Sequence, residues 1–426
     1  MTVACLLIPF ALLLIMGVPI AVCLGAGALA ALLQLDLGFD MMPATIYASC
    51  SKFILLAIPF FILAGNIMDK SGISTKLIRF AQSFVGHKKG GLGIVCVIVA
   101  CFFAAISGSG PATVAALGMI IIPAMIRAGY DPASSSALMS TAGSIGVIIP
   151  PSITFVVYGS ITGVSIGKLF MAGIIPGLIM GFFLILASFY SSRHSDLVQL
   201  PKASRHERWL AFKDAFWGLL MPVIILGGIY GGIFTPTEAA AVSAVYGLLV
   251  GIFIYRSVKL KDLYQIFLDS VSQTAVVMFI TATAGLFAWV ITIEGIAAAA
   301  SEFIIQISGG NLIIFLIIVN IILLISGCFI DGNSSFYIFA PIFYPVALSL
   351  GYDPIALGVL MVMNLAIGMV TPPVGVCLYV SCGISGEPIE RVSKAAIPFL
   401  IASFCALLII TYIPQISLFL PGFLSN

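Results

Sequence analysis

Charged side chains are scarce in this chain: only 8% of its 426 residues are Asp, Glu, Lys or Arg. Soluble domains carry about 25%, and a water-soluble protein this poor in charge would expose apolar surface widely and aggregate. The net charge of +2, without a basic stripe, also gives no reason to expect nucleic acid as a partner. The scarcity of charge therefore excludes an ordinary soluble fold.

Side chains that bind metals or act as nucleophiles are sparse as well. The three histidines (His87, His194 and His206) lie in polar connections. The nine cysteines are scattered, mostly within apolar runs, and none forms a Cys-x-x-Cys pair; we interpret them as small apolar side chains. Without buried His–Asp, Ser–His or paired acids, the chain is predicted not to be an enzyme and to need no cofactor.

A nucleotide-binding loop is also missing. The segment Gly163–Leu169 departs from the phosphate-binding pattern in its spacing and in its last residue. No polar segment is long enough to form a nucleotide-binding domain. If the chain moves a solute, the energy must come from an ion gradient or from a separate ATPase subunit.

Long apolar runs fill the sequence instead. Hydrophobic residues make up 61% of the chain and its mean hydropathy is +1.23, so lipid is the solvent for most of it. The apolar start at Val3–Ile15 lacks a preceding basic segment and continues into Pro19–Leu33, which disfavours a cleaved signal peptide. We predict an all-α integral membrane protein in contact with membrane lipid.

The sequence contains two related halves. A shift of 222 residues aligns Gly129–Pro132 with Gly351–Pro354, and Pro150-Pro151 with Pro372-Pro373. Over Gly110–Pro151, 13 of 42 positions are identical without a gap. Chance similarity between apolar segments would not preserve a four-residue polar block, so we infer an internal duplication.

The charge distribution indicates that the two halves are inverted. The segment 70–90 carries five Lys or Arg residues, whereas its counterpart 294–310 has none. Because Lys and Arg accumulate in cytoplasmic loops, equivalent loops of the two halves lie on opposite sides of the membrane, as in many secondary transporters. The segment 70–90 is predicted to be an amphipathic helix at the cytoplasmic surface.

We predict two inverted repeats with about ten transmembrane helices and two re-entrant helical hairpins. The spans lie near 3–17, 20–34, 46–68, 133–160 and 166–190, and near 216–234, 237–255, 263–293, 356–381 and 395–415. The hairpins lie at 91–126 and 312–348. Their arms have about 16 residues, short of the roughly 20 that a spanning helix needs.

Four polar or glycine-rich breaks interrupt the apolar sequence. They are the first hairpin tip (107–111), the first turn (143–151), the second hairpin tip (326–335) and the second turn (366–373). Each Pro-Pro pair ends the helix before it, and an unwound turn leaves carbonyl oxygens without helical partners. Such backbone is tolerated at membrane depth only inside protein or beside a watery cavity. Each break could be a mere kink, but four paired breaks favour ligand sites.

The chemistry of these breaks suits a cation and an anion together. Converging carbonyl and hydroxyl oxygens can hold a hard monovalent cation. The half-helices that begin at Pro111 and near Ser152 present free N–H groups and positive dipole ends to an anion. Broken helices of this kind mark substrate and ion sites in inverted-repeat transporters.

A few charged residues at membrane depth have two possible roles. Asp331 is a functional candidate, or it caps the next half-helix together with Asn333 and Ser334. Lys52 and Asp269 occupy equivalent positions near span ends, where we expect them to extend towards the interface. Glu238 is interpreted as part of a capped helix start.

Four motifs resemble the large membrane (M) subunit of tripartite ATP-independent periplasmic (TRAP) transporters. They are Ser107-Gly-Ser-Gly-Pro-Ala-Thr113, Gly146-Val-Ile-Ile-Pro-Pro-Ser152, Thr235-Pro-Thr-Glu-Ala-Ala240 and Asn364-Leu-Ala-Ile-Gly-Met-Val-Thr-Pro-Pro-Val-Gly375. The resemblance covers nearly the whole chain, and the motifs are specific in combination.

The resemblance implies sodium-coupled import of a carboxylate-bearing solute, such as a C4-dicarboxylate or sialic acid, across a bacterial inner membrane. It implies two partners, a periplasmic substrate-binding (P) protein and a small membrane (Q) subunit. It also implies an elevator mechanism. Scaffold helices and an arm would then occupy 1–90 and 215–310, two transport-domain halves 91–190 and 311–426, and a cytoplasmic linker 191–214.

The resemblance also assigns residues to sites. One sodium ion would lie at Ser107, Gly108 and Ser109 with carbonyls near Gly143, Val147 and Pro150, and a second at Gly327, Gly368 and Thr371. The solute would meet Pro111, Ala112, Thr113, Ser152, Asp331, Asn333 and Ser334. The alternative readings are a solute or ion channel with a re-entrant filter, and the permease of an ATP-driven importer, which the inverted duplication disfavours.

Overall fold

A computed structural model describes residues 2–35, 39–193, 197–199 and 201–424. Twenty α-helices and short 3-10 or π turns account for its regular structure, and the described residues contain no strand. His194 and parts of the predicted linker 191–214 lie outside the described residues. The predicted all-α membrane fold is confirmed.

The first repeat begins with four apolar helices and one amphipathic helix. These are α1 (Thr2–Ile15), α2 (Ile20–Gln34), α3 (Met41–Cys50), α4 (Ala57–Lys70) and α5 (Ile73–Val85). A 3-10 turn at Phe53–Leu56 leads directly into α4, so that Phe53–Lys70 forms one continuous helical span. The span predicted near 46–68 therefore begins later than expected, because the helix breaks at Ser51-Lys52.

The hairpin and broken helix of the first repeat follow. They are α6 (Gly91–Ser107), α7 (Gly110–Arg127), α8 (Pro132–Ser144), α9 (Ile153–Thr162) and the long α10 (Ile166–Ser192). The first hairpin tip separates α6 from α7. The first turn, which contains a 3-10 segment at Ile145–Val147, separates α8 from α9.

The second repeat has the same order of elements. Its first part consists of α11 (Arg205–Tyr230), α12 (Pro236–Leu249, continued by a π turn at Val250–Ile254), α13 (Leu260–Ile293) and α14 (Ile296–Ser308). Its hairpin and broken helix are α15 (Leu312–Gly327), α16 (Gly332–Ser349), α17 (Pro354–Gly368) and α18 (Val376–Ser385), followed by α19 (Ile389–Tyr412) and the short α20 (Gln415–Leu418).

Seven of the described helices are long and apolar enough to cross a membrane. They include six of the ten predicted spans and the hairpin arm α7. Two further predicted spans are the broken pairs α8–α9 and α17–α18, and the first two are short helices of 14 and 15 residues. The chain is thus a multi-pass membrane protein.

The duplicated Gly-Tyr-Asp-Pro block builds the same corner twice. Gly129 and Gly351 have φ values of 93° and 75°, a left-handed backbone that ends the preceding hairpin arm. The next helix begins with an aspartate cap and a proline in its first turn: the Asp131 carboxylate accepts the Ser134 N–H at 2.9 Å, and that of Asp353 accepts the Ile355 N–H at 2.7 Å. In both repeats the block therefore ends the hairpin arm and starts the broken helix.

Local sequence explains two further elements. The predicted amphipathic segment forms α5, which buries Ile73, Leu77, Ile78 and Ala81 on one face and packs against α6 and α11. Glu238 accepts the Thr235 N–H at 2.8 Å while the Glu238 N–H donates to the Thr235 hydroxyl at 3.3 Å. This capping box starts α12, so the structural interpretation of Glu238 is confirmed.

The two repeats interleave around a common core. The broken helix α17 is buried from Ala356 to Gly368 and packs against α10, α15 and α16. The other broken helix end, α18, packs against α7 and α8 of the first repeat. In addition, α4 of the first repeat packs against α12 and α13 of the second. Contacts between the repeats therefore involve the early helices of each half as well as the hairpins and broken helices.

Candidate functional site

The first hairpin tip is a compact cluster of hydrogen-bonded polar groups. The hydroxyl groups of Ser107 and Thr113 are hydrogen-bonded at 2.8 Å, and the Thr113 hydroxyl also donates to the Ser109 carbonyl at 2.8 Å. Gly108 has a φ of 62°, which lets the chain reverse between α6 and α7. The tip therefore gathers three oxygen-bearing groups within a few residues.

This tip lies directly against the first turn. A methyl group at Gly108 would lie 2.5 Å from the Pro151 carbonyl oxygen, and one at Gly146 would lie 2.7 Å from the Ser109 carbonyl oxygen. Glycine is required at both positions because the two backbones nearly touch. In the same turn, Ser152 caps α9 by accepting the Phe155 N–H and donates its hydroxyl to the Val147 carbonyl at 2.6 Å.

The second hairpin tip meets the second turn in the same way. A methyl group at Gly368 would lie 2.5 Å from Cα of Gly327. Thr371 donates its hydroxyl to the Ile367 carbonyl at 2.8 Å. Val374, just after this turn, donates its N–H to the Cys328 carbonyl at 3.2 Å. Both Pro-Pro bonds, Pro150-Pro151 and Pro372-Pro373, are cis.

Asp331 caps the second arm of the second hairpin. Its carboxylate accepts the Asn333 N–H at 2.9 Å and the Ser334 N–H at 3.2 Å, and it also accepts the Ser334 hydroxyl. These three donors match the capping role predicted for Asp331. The same carboxylate still lines a cavity, so capping and exposure to a ligand coexist at this residue.

The four breaks converge on one small cavity. A methyl group at Gly110 would contact the Met369 sulfur at 3.4 Å, and one at Gly332 would contact the Thr154 methyl at 3.6 Å, so each hairpin tip also contacts the other repeat. The cavity has a volume of about 170 Å³ and is lined by Gly108, Ser109, Pro111, Val147, Ile153, Thr154, Val277, Asp331, Gly332, Asn333 and Met369. Its walls therefore include residues from all four breaks.

Two more cavities lead away from the tips towards the end of α4. The first, of about 500 Å³, shares Ser109 and Pro111 with the small cavity and extends to Asn66 and Asp69. The second, of about 300 Å³, continues from Asn66, Asp69 and Gln273 to Lys70 and Asp269. Together the three form a path between the hairpin tips and the face that carries α5.

Few charged side chains line the two cavities nearest the hairpin tips, and those few are acidic. Among the described residues that line the two cavities nearest the tips, Asp69 and Asp331 are acidic and no Lys or Arg is present. The other polar groups are hydroxyls, amides and backbone N–H or C=O groups. Because no described basic side chain lines these two cavities, the groups there that favour an anion are the N-termini of the half-helices.

The predicted site residues fall into two groups in the structure. Eight line the small cavity or its larger neighbour: Ser107, Gly108, Ser109, Pro111, Ala112, Val147, Asp331 and Asn333. The others lie outside the lining of the three cavities: Gly143, Pro150, Gly327, Gly368, Thr371, Thr113, Ser152 and Ser334. Thr113, Ser152 and Ser334 are fully buried and hydrogen-bonded within their own turns.

Sequence reasoning missed several residues beside the site. Thr154 and Met369 line the small cavity, while Asn66 of α4 and Gln273 of α13 line the larger cavity next to it. The helices α4 and α13 have no break near Asn66 and Gln273, so the only local signal was an amide side chain within a membrane-spanning helix. A single asparagine within the apolar helix α15 is the same kind of signal. Asn320 accepts a hydrogen bond of 2.7 Å from the side-chain amide of Asn364, which lies two residues before the second turn.

Comparison with known proteins identifies the family. The family described as "Tripartite ATP-independent periplasmic transporter, DctM component" matches residues 7–416. The chain is 45% identical over 401 residues to the C4-dicarboxylate TRAP transporter large permease protein DctM of Pseudomonas aeruginosa, covering 94% of this chain and 93% of that protein.

Two other relatives are named for different solutes. The chain is 36% identical over 410 residues to the sialic acid TRAP transporter large permease SiaM of Vibrio cholerae, with 96% of each protein covered. It is 42% identical over 415 residues to the isethionate TRAP transporter permease DctMQ of Oleidesulfovibrio alaskensis, covering 97% of this chain and 65% of that protein.

A solved structure shares the fold. The YdaH transporter of Alcanivorax borkumensis superimposes with a TM-score of 0.61 at 12% identity, covering 90% of this chain and 88% of that one. At this identity the likeness concerns the fold alone. Taken with the match over residues 7–416 and the 45% identity to a large permease, the resemblance found in the motifs is confirmed, and the chain belongs to the DctM family of TRAP transporter large permeases, which are transporters and not enzymes.

Proposed function

We propose that this chain imports a carboxylate-bearing solute and couples that import to sodium ions. One observation carries the proposal: the four breaks meet at a small cavity that lacks basic side chains among its described lining residues. An acid can be held there if cations neutralise it. Sodium, a hard monovalent cation, suits the neutral hydroxyl and carbonyl oxygens that the tips and turns provide.

Two sodium sites follow from the pairing of tips and turns. The first would use Ser107, Gly108 and Ser109 with the carbonyls of Gly143, Val147 and Pro150, because the first tip touches this turn. The second would use Gly327, Gly368 and Thr371, where the second tip meets the second turn. Bound sodium would connect each tip to its turn and so order the surface that the solute meets.

The solute would bind at the half-helix N-termini. The N-terminal turns of α7, α9 and α16 surround the small cavity with residues Pro111, Ile153 and Asn333. Ala112, Thr113, Ser152 and Ser334 would support these turns. While it is ionised, Asp331 can only accept hydrogen bonds. It would therefore accept one directly from a solute hydroxyl, but it would contact a solute carboxylate only through a bridging sodium ion.

An elevator motion suits the arrangement of the helices. We assign 91–190 and 311–426 to a moving transport domain, and 1–90 and 215–310 to a scaffold with two arms, joined by the linker 191–214. Gly65, near the Lys70 end of α4, lies against Ser107: a methyl group there would lie 3.4 Å from the Ser107 Cα. If the Lys70 end of α4 is the cytoplasmic end of the scaffold, this contact supports an inward-facing state.

The solute class and the partners come from the relatives. The DctM protein of Pseudomonas aeruginosa, 45% identical to this chain, is named for C4-dicarboxylates, and we propose this class first and sialic acid second. A periplasmic substrate-binding protein would deliver the solute. A small membrane subunit would brace the scaffold, as the name DctMQ of one longer relative suggests. The assembly would lie in the bacterial inner membrane.

Uptake into proteoliposomes tests the proposal. The chain would be reconstituted with its small subunit and binding protein, without ATP, and given radiolabelled succinate or sialic acid. An inward sodium gradient should accumulate the solute above its equilibrium level, and an equal potassium gradient should not. Uptake that never exceeds equilibrium would instead identify a channel, and uptake that ignores sodium would refute the coupling.

A further inference from the structure

Lys52 lies just before the helix Phe53–Lys70, at the end that is farther from the cavities, and there it contacts α9. Its ammonium group donates a 2.7 Å hydrogen bond to the backbone carbonyl of Ser160, in the last turn of α9. Carbonyls in the last turn of a helix lack helical partners and carry its negative dipole end, so a cation there is favourable. The lysine was expected to extend towards the interface, and in the structure its exposed side chain also contacts α9.

The contact and the cavities lie on opposite sides of the hairpin tips. Lys52 precedes the helix Phe53–Lys70, and Asp69 lies at its other end, about 25 Å away along the helix axis. The half-helix α9 begins at the first turn and reaches Ser160 about 12 Å further on. The path from the tips opens towards Asp69, whereas Lys52 contacts Ser160 at the far end.

We infer that Lys52 is a latch that holds the outer side closed and favours the state with the inner path open. The inference rests on the proposed alternation between inward- and outward-facing states. If the transport domain moves along the scaffold, Ser160 moves with α9 while Lys52 stays with the end of α4. The hydrogen bond must then break before the site can face outwards.

The inverted repeat makes this latch one-sided. In the second repeat, the shift of 217 residues that aligns Pro19 with Pro236 pairs Lys52 with Asp269. Asp269 accepts a hydrogen bond of 2.7 Å from Gln265 and lines the cavity beside Lys70. Counting back from the equivalent helix ends Lys70 and Ile293 pairs Lys52 with Ala275 instead, whose methyl side chain cannot donate a hydrogen bond. The position equivalent to Ser160 is Cys382, in α18. An ionised carboxylate cannot donate to a helix carbonyl and is repelled by the negative end of the helix. No equivalent bond can therefore form between Asp269 and α18 in the outward-facing state.

Side-specific cysteine labelling tests the latch. Ala115→Cys, introduced after replacement of the reactive native cysteines, places a thiol on hairpin arm α7 in the wall of the cavity of about 500 Å³ that extends from the tips to Asp69. A membrane-impermeant maleimide is applied to right-side-out and inside-out vesicles, and the inner-to-outer ratio of labelling rates is measured. Lys52→Met should lower this ratio roughly fivefold, the order expected for losing one hydrogen bond of typical net strength at an exposed side chain.

Two variants serve as controls. Lys52→Arg keeps a cationic donor and should restore the ratio, and Lys168→Met removes another lysine, at the start of α10, and should leave it unchanged. An unchanged ratio in Lys52→Met would overturn the latch, as would an equal fall in Lys168→Met or in Lys52→Arg. The sodium-driven uptake assay on the same preparations separates the two proposals: sodium-driven accumulation with an unaltered labelling ratio refutes the latch alone.

Discussion

A hydrogen atom is the largest side chain that fits at Gly368. The backbone of Gly327 passes so close that a methyl group would lie 2.5 to 2.8 Å from its Cα, carbonyl carbon and oxygen. Gly108 meets Pro151 with the same closeness in the first repeat. The glycines of the motifs therefore do more than loosen a helix: they let each tip rest on the turn that follows it.

Gly368→Ala should destabilise the protein and abolish most transport. The extra methyl group forces the second tip away from its turn, at a typical overpacking cost of about 1–3 kcal/mol. Thermal unfolding in detergent and sodium-driven uptake would measure the two effects. Gly383→Ala is the matched control, because that helical glycine in α18 has open space around it and alanine favours a helix. Equal behaviour of the two variants would contradict the close-packing account.

The residue types of the site were predictable, but their contacts were not. Glycine, serine and proline at membrane depth identified Ser109 and Gly368 as members of breaks. Which atoms meet depends on packing between segments more than 200 residues apart, as with Gly110 against Met369. No local pattern encodes such a contact, so Thr154 and Met369 were missed while the breaks around them were found.

At the scale of elements, the starts and ends of the broken helices could be predicted from the repeat, because helix caps and breaks depend on local sequence. The Asp131 and Asp353 caps, each followed by proline, mark the starts of both broken helices. The Pro-Pro pairs mark where α8 and α17 give way to their turns. The break between α3 and α4 was not predicted, since Ser51-Lys52 contains neither glycine nor proline and tertiary packing decides it.

The two aspartate caps of the second repeat should differ in function. Asp331→Ala and Asp353→Ala each remove a carboxylate that caps a half-helix, at a cost of about 1 kcal/mol. Both should lower the thermal unfolding midpoint by similar amounts. Only Asp331→Ala should also change how uptake depends on sodium concentration, because Asp331 alone of the two lines the small cavity. If both variants keep the wild-type sodium dependence, Asp331 is a cap and nothing more.

At the scale of the whole molecule, the inverted duplication predicts more than the individual helices do. The paired breaks and the opposite charge bias of equivalent loops are enough to predict two inverted repeats from the sequence. The structure adds that the repeats interleave, so that α18 of the second half packs on α7 and α8 of the first. This long-range packing brings four breaks to one cavity, and the sequence could only suggest it.

Sodium binding to the purified assembly tests the central claim most directly. Equilibrium binding of radioactive ²²Na⁺ would be measured for the wild type, Ser109→Ala and Thr371→Ala, with Ser349→Ala, at the distant end of α16, as control. The account predicts saturable sodium binding that potassium does not displace, weakened about tenfold by loss of one ligand or its support, and unchanged in the control. A wild type that binds no sodium saturably, or two site variants that bind it as the wild type does, would contradict it.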